Sequence, residues 1–463
     1  MRKIALISDH ASPLALTGGI DSGGQNIYVA AIARHLARRG VAVDVYTRRD
    51  DPTLPETVLW HDGVRVIHVP AGPARHIPKE DIMPWMDDFG RWVLDFMRCG
   101  GRAAAVAQAG GGVAPGKARA ESLRPDLIHA NFFMSGLAAR RVVQRLGLPL
   151  VMTFHALGRV RRRFLGEGDR FPDARFAIED ELVRHADRIV AECPQDRLDL
   201  ISLYGADPRR IDIVPCGFDP AELAPVDQAE ARSRLGWPQR RFVILQLGRL
   251  VPRKGIDNLI RALALLKSEH GVAARLYIVG GESAAPNSGV TPEIGRLEGI
   301  ARAAGVPGQV QFVGRRGRQQ LRQLYSAADV FVTTPWYEPF GITAVEAMAC
   351  GVPVIATAVG GLRTTVVDGV TGYLVEPDAP AMLAARLAGI ARQPRARQVL
   401  GEAGRQRANR LYTWTQVCDR LCEVYARACA EGGALVDALD VSLTDAAGRR
   451  MPATPGLADA ACL

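Results

Sequence analysis

Glu338-Pro339-Phe340-Gly341-Ile342-Thr343-Ala344-Val345-Glu346, continuing as Ala347-Met348-Ala349-Cys350-Gly351-Val352-Pro353-Val354-Ile355-Ala356, reads as a loop, a short helix and a buried strand. Pro335 and Pro339 hold the first glutamate on a loop. Gly341 then releases the chain into a helix over Ile342–Cys350, which Gly351 stops before the apolar run at Val352. One carboxylate therefore precedes the helix and the other rides on it. The amides and positive dipole end between them are a seat for an anionic ligand. Together the three groups suit a sugar's hydroxyls, a phosphate and a ribose. A solvated loop charge beside a core helix is the alternative for the glutamates taken alone.

The same alternation continues on both sides. β-branched runs at Lys3–Ser8, Val41–Thr47, Val64–Pro70, Asp126–Ala130, Pro149–His155, Arg188–Ala191 and Ile211–Pro215 form one series. A second comprises Phe242–Leu247, Arg275–Val279, Val310–Val313, Val330–Thr333, Pro353–Ala356 and Gly372–Val375. Helix-length segments separate most of them, which predicts βαβ units and parallel sheets covered on both faces. A break around Gly217–Asp227 divides the series into two doubly wound domains, 1–218 and 219–408. A helix over 409–430 is expected to cross back to the first domain, and 431–463 reads as a weakly structured tail.

The composition fits this architecture and narrows the chemistry. At 463 residues the chain exceeds what one core holds, and 48% hydrophobic residues support burial in both domains. No apolar run approaches the roughly 20 residues that span a bilayer, and the first residues read as a strand rather than a signal peptide, so a cytoplasmic location is expected. Eight scattered cysteines without a C-x-x-C pair indicate neither zinc nor a disulfide framework. Of 58 basic residues only Lys3, Lys79, Lys117, Lys254 and Lys267 are lysine. In a chain that defaults to arginine, a lysine suggests a site wanting a compact point charge.

Candidate ligand positions gather at the carboxyl ends of strands, where open α/β sheets bind ligands. Gly18-Gly19-Ile20-Asp21-Ser22-Gly23-Gly24-Gln25-Asn26 follows the first strand, and its glycines permit close approach of a phosphate or sugar, although the dinucleotide spacing is absent. His155 ends a buried strand, where a neutral imidazole can bond a substrate hydroxyl. Gly248-Arg249-Leu250-Val251-Pro252-Arg253-Lys254-Gly255 places two cations and a helix start around one point, chemically a diphosphate clamp. Lys79 stands at a helix entry and Arg175 on an amphipathic helix; each meets either a phosphate or solvent. The run Arg159-Val160-Arg161-Arg162-Arg163 suits an anionic acceptor, a membrane surface or, as a bland reading, a solvated face. Gly100–Gly116 reads as a mobile, low-complexity insertion.

With Arg249, Lys254, Glu338 and Glu346 in this order, the chain resembles the retaining glycosyltransferases of family 4, which have the GT-B fold of two Rossmann-like domains facing a cleft. Gly23-Gly24-Gln25-Asn26-Ile27-Tyr28-Val29, Ile77-Pro78-Lys79-Glu80 and Thr153-Phe154-His155-Ala156-Leu157-Gly158 resemble the branch holding sucrose-phosphate synthases, sucrose synthases and the mycothiol glycosyltransferase. The resemblance implies a hexosyl transfer from a nucleoside-diphosphate sugar to a sugar or to a phosphorylated sugar or polyol. It implies Arg249 and Lys254 on the donor diphosphate, Glu338 on the sugar, Glu346 on the ribose, and the backbone at Phe340, Gly341 and Ile342 close by. Gly23 and Gly24 would admit the donor phosphates. Gln25, Asn26, Lys79, His155 and Arg175 would face the acceptor, with His155 near the anomeric carbon. Expected catalytic residues are His155, Arg249, Lys254 and Glu338. No cofactor, metal or nucleic-acid partner is expected, and the absence of a D-x-D pair agrees with metal independence. Two rival readings are a membrane-associated transferase of lipopolysaccharide or exopolysaccharide synthesis, with peripheral contact through Arg159–Arg163, and a non-catalytic nucleotide-sugar sensor.

Overall fold

The computed structural model describes residues 1–15, 23–99 and 124–431. Gly18–Ser22 of the first glycine loop, the Gly100–Gly116 stretch and the tail from 432 lie outside the described residues. Two sheets organise the rest. The first holds β1 (Lys3–Ile7), β2 (Ala42–Arg48), β3 (Thr57–His61), β4 (Val64–Val69), β5 (Leu127–Asn131), β6 (Leu150–Thr153), β7 (Arg188–Ala191) and β8 (Ile211–Ile213), in the order β3-β4-β2-β1-β5-β6-β7-β8. The second holds β9 (Phe242–Leu247), β10 (Ala274–Val279), β11 (Val310–Gly314), β12 (Val330–Thr333), β13 (Val354–Thr357) and β14 (Gly372–Val375), in the order β11-β10-β9-β12-β13-β14. All neighbours pair in parallel except β3 with β4.

Successive residues of β1 enter different cores: Ile4 and Leu6 pack on one face with Tyr28 and Ile32, Ala5 and Ile7 on the other with Phe89 and Phe133. The second sheet does the same, with Val243 and Leu245 on one face and Ile244 on the other. Burial on both faces is why these strands read as continuous apolar runs. The chain turns from one side of the sheet to the other between β1 and β5, and again between β9 and β12. Those switch points open crevices at the strands' carboxyl ends.

Two chain segments connect the domains and are bonded to each other. Phe218 N donates to Tyr412 O at 2.8 Å and Trp414 N to Phe218 O at 3.0 Å. The helix Trp414–Glu431 then lies against β5, β6 and the helix Gly24–Ala37 of the first domain.

Two sequence expectations change. β3 was not among the expected strands: it is an edge strand turned back on β4 through Asp62-Gly63, with Gly63 at φ 80°. That dipeptide is a hairpin signal, but half-exposed Thr57–His61 lacks the apolar run that marks its neighbours. The strand expected over Pro149–His155 ends at Thr153, and His155 takes a left-handed backbone at φ 56°.

Candidate active site

The second domain's share of the cleft is built from the loops after β9 and β12, neighbours at the switch point. Beyond β9 the chain passes Gly248 and Arg249 into a single 3-10 turn, Pro252–Lys254, and then the helix Ile256–Ser268. Gly255 joins them at φ 59°, and a Cβ there would stand 2.0 Å from Thr334 O. Only glycine lets the two loops approach this closely. Thr334 Oγ1 donates to Gly255 O at 2.7 Å, Trp336 N to Arg253 O at 2.9 Å and Arg253 Nη1 to Tyr337 O at 3.2 Å. The Lys254 ammonium is ion-paired with Glu338, their side chains 13% and 15% exposed. Glu338 O in turn accepts from Gly361 N at 3.1 Å.

Burial pushes the Glu338 carboxyl up, and Lys254, Arg253 and Arg249 outweigh it, so its pKa falls below the ordinary value. Lys254 is also lowered: burial dominates, Glu338 opposes it, and Arg253 and Arg249 add repulsion. Lys254, Arg253 and Arg249 thus all lie close enough to Glu338 to act on its charge, and a ligand anion reaching them would meet the same field. The helix Ile342–Ala349 starts beside this cluster, with Gly341 as its N-cap at φ 96°, and its first amides face out of the helix end. Phe340 is buried with its ring 5.7 Å from Tyr412, so its backbone rather than its side chain is available to a ligand.

Glu346 sits one helix body away and is 2% exposed. It accepts from Tyr325 Oη at 2.9 Å and Arg318 Nη1 at 3.2 Å, while Arg318 Nε bonds Glu222 at 2.8 Å. Neither Arg318 nor Tyr325 stood out in the sequence, because nothing in the spacing of Arg318 announces which carboxylate it meets.

The first domain closes on this surface. Gly23 and Gly24 begin the helix Gly24–Ala37, and an ideal Cβ on Gly23 would lie 3.4 Å from Arg249 Nε, on Gly24 3.3 Å from Ile342 Cδ1. Gln25 Nε2 donates to Ser8 Oγ at 3.2 Å and Asn131 O at 3.1 Å. Asn26 is buried: its Oδ1 accepts from Gly23 N at 2.9 Å and its Nδ2 donates to Ser12 O at 3.0 Å. Those bonds give Asn26 a part in shaping the glycine turn, with its amide turned inward rather than toward an acceptor.

His155 lies at the end of the segment after β6, its side chain 9% exposed. Nδ1 is 2.8 Å from Glu192 Oε1 and Nε2 is 3.0 Å from Asn131 Oδ1. Asn131 Nδ2 faces Ile7 O at 3.5 Å and His129 O at 3.3 Å, which turns its oxygen toward the imidazole. Both ring nitrogens are thus held by protein oxygens, so a free imidazole nitrogen aimed at a hydroxyl is not what this structure presents. Asn131, at the carboxyl end of β5, and Glu192, just past β7, were missed in the sequence although strand ends are where such residues belong.

The expected acceptor cations take different places. Lys79, on the turn Lys79–Asp81, is 3.4 Å from Glu80, which is also 3.6 Å from Arg161. Arg175 is 1% exposed, pairs with Glu179 at 2.7 Å, and lies over the rings of Phe132, Phe133 and Phe171 at 5.0, 4.7 and 4.7 Å. It is neither solvated nor on the cleft surface. The basic run is largely neutralised: Arg159 pairs with Asp180, Arg161 with Asp169 and Arg162 with Asp173. Among the described residues no helix is long and apolar enough to cross a membrane.

Two doubly wound domains that meet where Arg249 and Ile342 face the Gly23-Gly24 turn have the GT-B architecture of glycosyltransferases. The chain belongs to the Glycosyl transferases group 1 family, whose model matches residues 227–407, and residues 23–217 match the Glycosyl transferase 4-like domain. It is similar to the D-inositol 3-phosphate glycosyltransferase of Nocardiopsis dassonvillei, 37% identical over 94% of this chain and 96% of that one. D-inositol 3-phosphate glycosyltransferase 1 of Catenulispora acidiphila is 39% identical over 93% of this chain and 97% of that one. Among solved structures, sucrose-phosphate synthase from Thermosynechococcus elongatus superposes with a TM-score of 0.80 at 32% identity, covering 93% of this chain and 100% of that one.

Proposed function

We propose that the protein transfers a hexosyl group from a nucleoside-diphosphate sugar to a phosphorylated sugar or polyol, with retention at the anomeric carbon and without a metal ion. The observation that carries the reading is the gathering of Lys254, Arg253 and Arg249 around Glu338, with Arg249 facing the Gly23-Gly24 turn. Departure of a nucleoside diphosphate builds negative charge, and preorganised cations and helix amides stabilise it where it develops. The same cations neutralise the diphosphate, which is the work a metal does in other transferases. The resemblance assigns Glu338 to sugar hydroxyls and Glu346, which Arg318 and Tyr325 hold in place, to the ribose.

Retention requires the acceptor oxygen to enter on the face the diphosphate leaves. Glu338 is paired with Lys254 and Glu192 with His155, which argues against either as a covalent nucleophile. The reading adopted is front-side attack assisted by the departing phosphate. The phosphorylated acceptor rests on the relatives named above for D-inositol 3-phosphate and on the likeness to a sucrose-phosphate synthase. Lys79, 3.4 Å from Glu80, is the cation assigned to its phosphate, while Arg175, 1% exposed and paired with Glu179, is too buried to meet it. The pairing of Arg159, Arg161 and Arg162 with carboxylates favours this reading over a membrane-associated transferase, for which that run was the suggested contact.

Donor turnover with UDP-, GDP- and ADP-sugars against a panel of phosphorylated and unphosphorylated acceptors tests the function. Proton NMR of the product reports the anomeric configuration, and EDTA reports the metal. Inversion, or activity lost with EDTA and restored by manganese, would sink the corresponding part.

A further inference from the structure

The residues just past β7 touch both halves of the cleft. Glu192 is buried, with Oε1 2.8 Å from His155 Nδ1, and Cys216 Sγ donates to the same oxygen at 3.2 Å. Its neighbour Cys193, also buried, donates from Sγ to Pro339 O at 3.4 Å, on the residue that follows Glu338. The same sulfur accepts from Asp196 N at 3.3 Å, and Asp196 Oδ2 accepts from Glu192 N at 3.1 Å. Glu192, Cys193 and Asp196 therefore form a closed turn at the start of the helix Pro194–Tyr204. One side of that turn grips the imidazole and the other grips the loop bearing the sugar-facing carboxylate.

His155 is held in a backbone conformation that non-glycine residues rarely adopt, at φ 56°. Such a geometry persists only when its surroundings determine it. Glu192 on Nδ1 and Asn131 on Nε2 fix the ring from both edges, and the Tyr28 ring packs edge-on at 4.9 Å. A buried carboxylate is costly unless paired and bonded, and here its Oε1 is matched by the imidazole and a thiol.

We propose that Glu192 is a positioning residue for glycosyl transfer: its carboxylate fixes His155, and its tie through Cys193 to Pro339 sets that imidazole in register with Glu338 across the cleft. This rests on the reading of His155 and Glu338 as neighbours of the transferred sugar. Glu192 touches no substrate itself. Its effect on turnover passes through His155, which separates it from a residue that only supports the fold.

A double-mutant cycle tests this on the full chain with the donor and acceptor identified by the panel. Wild type, Glu192→Ala, Glu192→Gln, His155→Ala and the two double variants are compared for kcat and donor KM per folded molecule, with circular dichroism and Tm as controls. Glu192→Ala is expected to lose at least about tenfold in kcat with donor KM within about threefold, and Glu192→Gln, which keeps an acceptor oxygen, about threefold in kcat. Neither substitution should cost more than about twofold once His155 is alanine, because residues acting as a unit are not additive. Should Glu192→Ala fail to fold, the Glu192→Gln arm carries the cycle. Unchanged kcat in the folded Glu192 variants, or full losses persisting beside His155→Ala, overturns the proposal. If wild type neither transfers nor hydrolyses any donor, the transferase reading fails instead. If His155→Ala leaves an active enzyme untouched, the placing of His155 fails.

Discussion

Replacing Lys254 with alanine removes the ammonium that pairs with Glu338 and leaves that carboxylate near Arg253 and Arg249. The fold should survive, because the remaining cations still oppose Glu338. Donor turnover should not. Loss of one preorganised donor at a developing oxyanion costs about 2.7–4 kcal/mol. In the free enzyme Lys254 is already engaged by Glu338, so part of its gain on meeting the diphosphate is an exchange of partners, and the lower part of that range applies. About 3 kcal/mol corresponds to a loss of roughly 150-fold in kcat/KM. Release of nucleoside diphosphate, followed over a range of donor concentrations, measures it, with circular dichroism to confirm folding. A folded Lys254→Ala protein with kcat/KM within threefold of wild type would remove the clamp from the mechanism.

Glu338→Ala should weaken binding of the intact nucleotide sugar more than that of free nucleoside diphosphate, measured by titration calorimetry; equal losses contradict its sugar-facing role. Gly255→Ala places a Cβ 2.0 Å from Thr334 O at a positive φ, so a loss of at least about 1–3 kcal/mol in urea unfolding is expected; an unchanged midpoint would show that the two loops can part. Burial first, and then the charge of Glu192, raise the Asp196 carboxyl to about 8. Between its unfolded value and about pH 8 the folded state therefore keeps a proton that the unfolded chain releases, and stability falls as pH rises through that window. Asp196→Asn lacks this decline, so its Tm relative to wild type should climb from pH 5 to pH 8.5; a constant difference refutes the buried, protonated carboxyl.

Much of the fold is legible in the sequence because both sheets are buried on two faces, so every interior strand is a compact apolar run. β3 escapes that signal because it is an exposed edge. The meeting of Arg249, Lys254 and Glu338 is legible too, since all three follow strand ends at a switch point, where local spacing and topology point the same way. The first domain's site is less so. Whether Arg175 meets solvent, a phosphate or Glu179 depends on which aromatic rings gather around it, and Phe132, Phe133 and Phe171 come from two distant segments. The two oxygens that hold His155 come from β5 and the end of β7, and no periodicity pairs them. The arginine run looks like a surface patch on paper because its carboxylate partners lie up to 21 residues away.

The central claim is transfer from a nucleotide sugar to a phosphorylated acceptor. The direct measurement is mass spectrometry of reactions pairing each nucleotide sugar with matched phosphorylated and unphosphorylated sugars and polyols. The proposed function predicts a hexosylated product and stoichiometric nucleoside diphosphate with a phosphorylated acceptor, and far less with its unphosphorylated twin. Equal transfer to both twins, or no product from any donor, would contradict it.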